Sequence, residues 1–416
     1  MPTHDDETPD EPLFRGLGDA PGDGPEADGA PEDDATDATA SPGSTTGDES
    51  AAAGATTATR RRRRVKVTRW ARFKAWCKRH KALVILLTIL LLLIAIILGW
   101  LWYLNRQIGN IPRFDLDLDR EGRPAKVENN SVNILLMGVD DPDGLPNVGP
   151  DLKKQISSGD WRAGSFRSDS LMVLHINSDR QSAQLVSIPR DSWVEVPGHG
   201  KAKINAALSF GGPSLAAQTV EDHFNLRIDH MVLIDFQGFK DLTDVLGGVS
   251  VYISSEASQR LSQGAWPTGM RNLNGEEALL YVRQRHGLAR GDFDRVQRQQ
   301  AYLKAVLDKT VSRGTLLNPL KVTNLLEEIG DFIAVDEGFS NSEIRDLAIA
   351  SRGLHSGAIR FVTVPNNGTG RAGNQSIVVL DDERAIDMFD AIQKDQFESW
   401  YARNDVDEMP AGGRVD

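Results

Sequence analysis

From Ala82 to Leu104 the chain runs for 23 residues without a charge, dense in leucine and isoleucine. At 1.5 Å per residue this is about 35 Å of helix, enough to cross a hydrocarbon core of about 30 Å. Trp70 and Trp76 precede the run, and Trp100, Trp102 and Tyr103 close it, as aromatic belts do at membrane surfaces. Beyond residue 104 the pattern changes to short apolar blocks separated by polar turns. SVNILLMGVD (131–140), SDSLMVLHIN (168–177) and SAQLVSIPR (182–190) read as strands, the last followed by a short WVEV extension. IDHMVLIDF (228–236), VSVYI (249–253), AIRFVTVP and QSIVVL read as further strands.

Helical spacing alternates with these blocks. GPSLAAQTVEDHF and FKDLTDVLGG read as helices, the second stopped by Gly247 and Gly248. Asn274 and Glu277 form a capping pair that opens EEALLYVRQR. A longer helix runs from about Phe293 to Thr310, with Val296, Leu303, Val306 and Leu307 as its core stripe. Residues 319–351 read as one or two helices, and DDERAIDMFDAI as a closing one. Strands and helices alternate without internal repeats, which predicts an α/β fold: a mixed central sheet flanked by helices on both faces, after a single N-terminal transmembrane helix. Residues 141–166 are rich in Gly, Pro and Asp, and a loop that long in a compact domain serves function or moves.

Charge divides the chain further. Residues 1–59 carry a net −14 and almost nothing large and apolar, which predicts a disordered acidic tail. Residues 60–104 carry +12, opening with the block Arg60–Arg64. The positive-inside rule puts that basic 60–81 segment in the cytoplasm, against anionic membrane lipids, and residues 105–416 outside the cell. The expected plan is therefore a span over 82–104, a linker over 105–130, a catalytic domain over 131–395 and a frayed tail over 396–416. Cys77 is the lone cysteine, so no intrachain disulfide holds the outer domain.

The outer part is acidic, at −10, yet concentrates arginine. YVRQRHGLARGDFDRVQRQQ (281–300) holds Arg283, Arg285, Arg290, Arg295 and Arg298 within twenty positions and no lysine. Guanidinium grips phosphate or carboxylate oxygens two at a time, so the run points to a focused anion site and away from a nucleic-acid surface. A solvated helix face is the plainer alternative. Arg295, Gln299 and Tyr302 share one face at i, i+4 and i+7. Four further places join them: Asp140 at a strand end, Arg167 and Asp169 opening the next strand, Arg190 and Asp191 closing another, and Lys203 with Asn205. Ligands of open α/β sheets bind beyond the carboxyl ends of strands. Two carboxylates with phosphate oxygens suit Mg²⁺, and several arginines around it suit a pyrophosphate.

NILLMGVD, FRSDS, VSIPRDSWVEVPG, KINAAL, Gly211–Gly212, IDFQGF, LGGV, LNGEEALLYVRQR and DFDRVQRQQ resemble, in order, the successive motifs of the LytR-CpsA-Psr family. The resemblance implies a membrane-anchored phosphotransferase. It would move a glycan polymer from a polyprenyl-pyrophosphate carrier onto peptidoglycan through a phosphodiester, with Mg²⁺. By match, Asp140 and Asp169 would hold the metal, and Arg167, Arg190, Arg283, Arg285, Arg295 and Gln299 the pyrophosphate, with Lys203 among the substrate contacts. Arg190, Arg283 and Asp292 would act at the reacting phosphoryl group. The family's apolar prenyl pocket would be lined here by Ala216, Val220, Leu242 and Val245. Acidity and arginine usage suggest an actinobacterial wall, with arabinogalactan or a teichoic-type polymer as cargo. A polyprenyl pyrophosphatase and a non-catalytic membrane regulator are the alternatives.

Overall fold

The structure is a computed structural model that describes residues 68–117, 119–140, 166–254, 266–284, 290–310 and 333–410, with Gln155, Trp161, Gly164, Thr323, Glu327, Gly330, Arg414 and Val415; of Asp140 only the backbone is described. The expectations for the acidic tail, the arginine block, most of the 141–166 insertion and Arg285 lie outside these residues. The chain divides into a unit Met1–Ala75 and a unit Trp76–Asp416. Helix α1 (Arg69–Arg79) begins in the first, where the Lys74 ammonium lies 3.8 Å from the centre of the Trp70 ring.

Helix α2 (Lys81–Gly109) is long and apolar enough to cross a membrane. It continues five residues past the apolar run, because Asn105 to Gly109 contain neither proline nor a strong helix breaker before the final glycine.

The second unit is built on one seven-stranded mixed sheet. Its strands are β1 (Arg113–Phe114), β2 (Val132–Asp140), β3 (Arg167–Ile176), β4 (Ala183–Ser187), β7 (His230–Asp235), β10 (Ile333–Asp336) and β11 (Ile359–Thr363), in the spatial order β1-β10-β7-β2-β3-β4-β11. β2 is central: it runs parallel to β7 and antiparallel to β3. Alternation splits its side chains between two layers. Leu135, Met137 and Val139 pack with α3 (Ala206–Phe224), α8 (Asp382–Gln393) and α9 (Phe397–Tyr401) in the largest core cluster. Leu136 turns to the other face. That face is covered by α4 (Phe236–Val245), α5 (Gly275–Arg283), α6 (Asp292–Thr310) and α7 (Asn341–Ala350). The helices thus lie on both faces, as the alternation predicts.

Among the described residues three hairpins stand outside the main sheet: β5 (Trp193–Val196) with β6 (Gly200–Lys203), β8 (Val249–Ile253) with β9 (Gly269–Leu273), and β12 (Asn366–Ala372) with β13 (Gln375–Leu380). α3 is kinked at Gly211, Gly212 and Pro213. Gly212 has φ +72°, and a Cβ there would come within 2.9 Å of the Trp161 ring. Only glycine fits this backbone and this approach.

Two boundaries differ from the sequence reading. Residues 105–130 are not a free linker: β1 pairs with β10, Leu116 is buried, and Arg120 and Arg123 reach Glu221 of α3 at 3.1 and 2.6 Å. Residues after 395 do not all fray either, since Phe397 and Trp400 are buried and the Met409 N–H donates to Phe361 O at 3.0 Å. In both cases the anchors are scattered single residues, which no periodicity reveals.

Candidate active site

The arginine stretch forms the end of α5 and the start of α6. α5 is opened by a complete capping box, in which the Glu277 N–H donates to Asn274 Oδ1 at 2.9 Å. It stops at Arg283, because Gln284 turns to an extended backbone. α6 begins with Asp292 and Asp294, carboxylates that suit the positive end of a helix. On its face at Arg295, Gln299 and Tyr302, the Tyr302 ring stacks on Phe239 of α4 at 4.3 Å.

Between that face, α4, α5 and the sheet lies a cavity of about 230 Å³. Its body is apolar, walled by Leu136, Met172, Val232, Ile234, Phe239 and Leu242 among others. Its polar lining is Asp169, Ser170, Asp235, Arg283, Arg295 and Gln299. The strand register locates this polar group. Gly138 is paired with Ile234, and Val139 with Asp235, so Asp235 and Gly138 lie at the carboxyl edge of the parallel pair β7–β2.

Asp169 reaches the cavity through a bulge. Ser170 pairs with Gly138 and Ser168 with Val139, which leaves Asp169 as the extra residue of β3. Strict alternation would point it with Leu171 into the opposite core. Gly138 has a matching role, since a Cβ there would collide with the Ser170 hydroxyl that accepts from its N–H at 3.1 Å.

Arg190, in the turn after β4, donates to Asp169 Oδ1, and its Nε lies 3.9 Å from Asp191 Oδ2. Lys203 closes the chain of charges, with Nζ 3.0 Å from Asp191 Oδ1. Arg295 is buried at 3% exposure and forms an i,i+3 ion pair with Asp292. The Arg283 guanidinium lies 4.3 Å from the centre of the Phe236 ring. Asp235 is the residue that the sequence reading missed. Its Oδ1 accepts the Gly238 N–H at 2.7 Å and caps α4, while Oδ2 is buried without a hydrogen bond. Burial pushes its carboxyl up to about 6. The available signal was the motif itself, an aspartate ending an apolar strand immediately before a helix.

The predicted residues therefore separate into three groups. Asp169, Arg283, Arg295 and Gln299 line one cavity. Arg190 joins them through Asp169, and Asp292 through Arg295. Lys203 is one ion pair further out, Arg167 is exposed at the start of β3, and Asp140 contributes a backbone position opposite Arg167. Leu242 lines the cavity as expected. Ala216 and Val220 do not: they pack in the cluster on the opposite face of the sheet, and Val245 is absent from the lining. Among the described residues no group of three or more His, Cys, Asp or Glu side chains is placed to hold a metal ion.

A family model described as the LytR_cpsA_psr family matches residues 115–395. The cell wall biosynthesis protein LcpA of Corynebacterium glutamicum is 32% identical over 285 residues, 61% of this chain and 54% of that protein. The chain thus spans about half the length of this relative. TagU of Halalkalibacterium halodurans, named a polyisoprenyl-teichoic acid–peptidoglycan teichoic acid transferase, is 33% identical over 307 residues, 68% of this chain and 93% of that protein. The crystal structure of B. subtilis TagV superimposes with a TM-score of 0.51 at 27% identity, over 66% of this chain and 98% of that one.

Proposed function

The chain belongs to the LytR-CpsA-Psr family, and from this premise we propose that it transfers a glycan polymer from a polyprenyl-pyrophosphate carrier to peptidoglycan on the outer face of the membrane. The observation that carries the reading is the cavity: an apolar body whose polar lining is two arginines, a glutamine, a serine and two carboxylates. An isoprenoid chain fits the body, and a diphosphate fits guanidinium groups at its edge.

In this reading an acceptor hydroxyl on peptidoglycan attacks the glycan-bearing phosphorus. The new P–O bond forms as the bond to the departing polyprenyl phosphate breaks, and the hydroxyl proton is lost. Arg283 and Arg295 hold the diphosphate and stabilise the charge that develops on it. Arg190 orients Asp169, and Asp292 orients Arg295. Asp292 and Asp235 are the carboxylates at hand for the proton. Asp140 and Asp169 would hold Mg²⁺; two carboxylates fit an ion that completes its shell with phosphate oxygens, and it would supply further charge neutralisation.

The test is transfer of a radiolabelled lipid-linked glycopolymer to peptidoglycan by the full chain. Label on peptidoglycan supports the reading. Label released as free glycan would instead support a polyprenyl pyrophosphatase, and Arg295→Ala with full activity would overturn the site.

A further inference from the structure

α2 does not leave the membrane as a bare tether. Over its last turns one stripe is partly covered while the rest is exposed: Trp100, Tyr103, Leu104, Gln107 and Ile108 against Leu101, Trp102, Asn105 and Arg106. That is the i, i+3, i+4, i+7, i+8 pattern of a helix seated on a partner. The partner is the domain itself. Trp100 Nε1 donates to Thr323 Oγ1 at 3.3 Å, Tyr103 OH donates to Glu327, and Gln107 Nε2 donates to Tyr103 OH at 2.8 Å. Ile108 packs with Ile111, Phe339, Ile344 and Leu347. Asn341 fixes the exit, with Nδ2 donating to Asn105 O at 3.4 Å and Oδ1 accepting from Arg113 at 2.6 Å.

Tryptophan and tyrosine at a membrane surface ordinarily direct their polar ends to water and headgroups. Here Trp100 and Tyr103 direct them to the domain, while Trp102 at the same height is 65% exposed and Leu101 49% exposed. Trp100 and Tyr103 also fall inside the uncharged 82–104 run. The rest of that run, 82–99, is exposed among the described residues except for the half-covered Val84, and is about 27 Å long, close to the hydrocarbon thickness of about 30 Å. The body of the domain must then lie at the level of the lipid headgroups on the Trp100–Tyr103 side.

We infer that residues 100–108 are a seat that holds the domain on the outer leaflet in one fixed orientation, with Thr323 and Glu327, which receive Trp100 and Tyr103, at the level of the lipid headgroups. The inference rests on the outward topology of the proposed function and gives the seat a purpose. Leu136, Val232 and Ile333 line the cavity and belong to the same apolar cluster as Ile108. The wall of the cavity is thus continuous with the seat of the membrane helix, which favours delivery of a lipid tail directly from the bilayer.

The experiment uses the full chain in phospholipid nanodiscs, with Cys77→Ser removing the native thiol. Tyr103→Cys with Glu327→Cys is treated with a short bismaleimide, and Leu101→Cys with Glu327→Cys serves as the control. Crosslinking of most of the first pair and little of the second is expected. Equal yields, or none in the first pair, overturn the seat. In parallel, Trp100, Tyr103 and Gln107 are replaced by leucine and six Gly-Ser residues are inserted after Gly109. Transfer from a membrane-embedded long-chain substrate is expected to fall about tenfold while transfer from a soluble short-prenyl analogue is unchanged. That tenfold corresponds to about 1.4 kcal/mol. An equal rate on the membrane substrate counts against the inference. If the unaltered chain uses neither substrate, the transfer reading fails, and the crosslink still decides the seat.

Discussion

Arg190 and Asp169, twenty-one residues apart in the chain, meet in an ion pair at the edge of the cavity. Both side chains are mostly covered, at 14% and 13% exposure, so the pair is screened less than a surface bridge. It holds the bulged aspartate in a defined position and puts a third guanidinium beside the polar lining, next to Arg283 and Arg295. Arg190→Ala is expected to lower kcat/KM for polymer transfer by on the order of 100-fold to 1000-fold, the usual effect of losing one charge-stabilising donor. Circular dichroism should show an unaltered fold, since the turn itself is held by the Ser192 N–H donating to Pro189 O at 3.0 Å.

Arg295 separates charge from geometry. It is buried, paired with Asp292 and part of the cavity lining. Lysine keeps the charge but not the planar fork. Arg295→Lys is therefore expected to bind the lipid diphosphate at least tenfold more weakly, read by isothermal titration with a short-chain analogue. An Arg295→Lys variant with native affinity would show that only net charge matters there.

The strands that build the centre of the sheet were legible because they are strongly apolar: β2, β3, β4 and β7 lie where the sequence places them. β10 lies in the 319–351 stretch that the pattern predicts as helix, since IAVD is too short to show a period and its partners β7 and β1 come from far along the chain. β12, NNGTGRA, has no apolar alternation because its hairpin lies outside the main sheet. At the site, Arg283, Arg295 and Gln299 were legible from one arginine-rich stretch. The path of Asp169 was not, because a period of two sends it to the wrong face and only the bulge corrects it. Asp235 was hidden by its ordinary place in a strand.

Asp235 makes stability depend on pH in a definite sense. Burial raises its folded-state pKa from 3.8 to about 6. The neutral acid is the form that the fold prefers, so this contribution is complete below pH 3.8 and is lost as pH rises through about 6. The full shift is worth roughly 3 kcal/mol. Asp235→Asn, which keeps an oxygen to cap α4, should be no more stable than the parent at pH 4 and should gain on it by up to about 3 kcal/mol at pH 8. Urea melts at the two pH values check this; a pH-independent difference would mean that the carboxyl is solvated.

The residues before β2 are held by a buried charge. Glu221 is 2% exposed and accepts from Arg120, Arg123 and the Ile228 N–H. Removing it takes the carboxylate away from the buried Arg123 guanidinium, whereas the more exposed Arg120 keeps Asp222 at 3.0 Å. Glu221→Ala should cost about 3–5 kcal/mol by denaturant unfolding. Glu221→Gln should cost less, because the amide oxygen still accepts from Ile228. Equal losses for both would assign the effect to packing alone.

The cavity provides the last test, because its two halves make separable demands. The apolar body has room for chain carbons, and the polar lining has the groups for phosphate. Leu242 and Ile234 line the apolar body and take no part in the ion pairs described above. Leu242→Trp adds bulk within about 230 Å³ of space and leaves the arginines untouched. Each CH₂ of substrate kept out of the cavity forfeits about 0.8 kcal/mol. The variant is therefore expected to lose affinity for long-prenyl substrates by tenfold or more and to keep its affinity for a two-isoprene diphosphate. Dissociation constants across a series of prenyl lengths measure this. A loss that is uniform over the series would mean that the chain carbons do not enter the cavity, and the body would then be a packing defect with no role in binding.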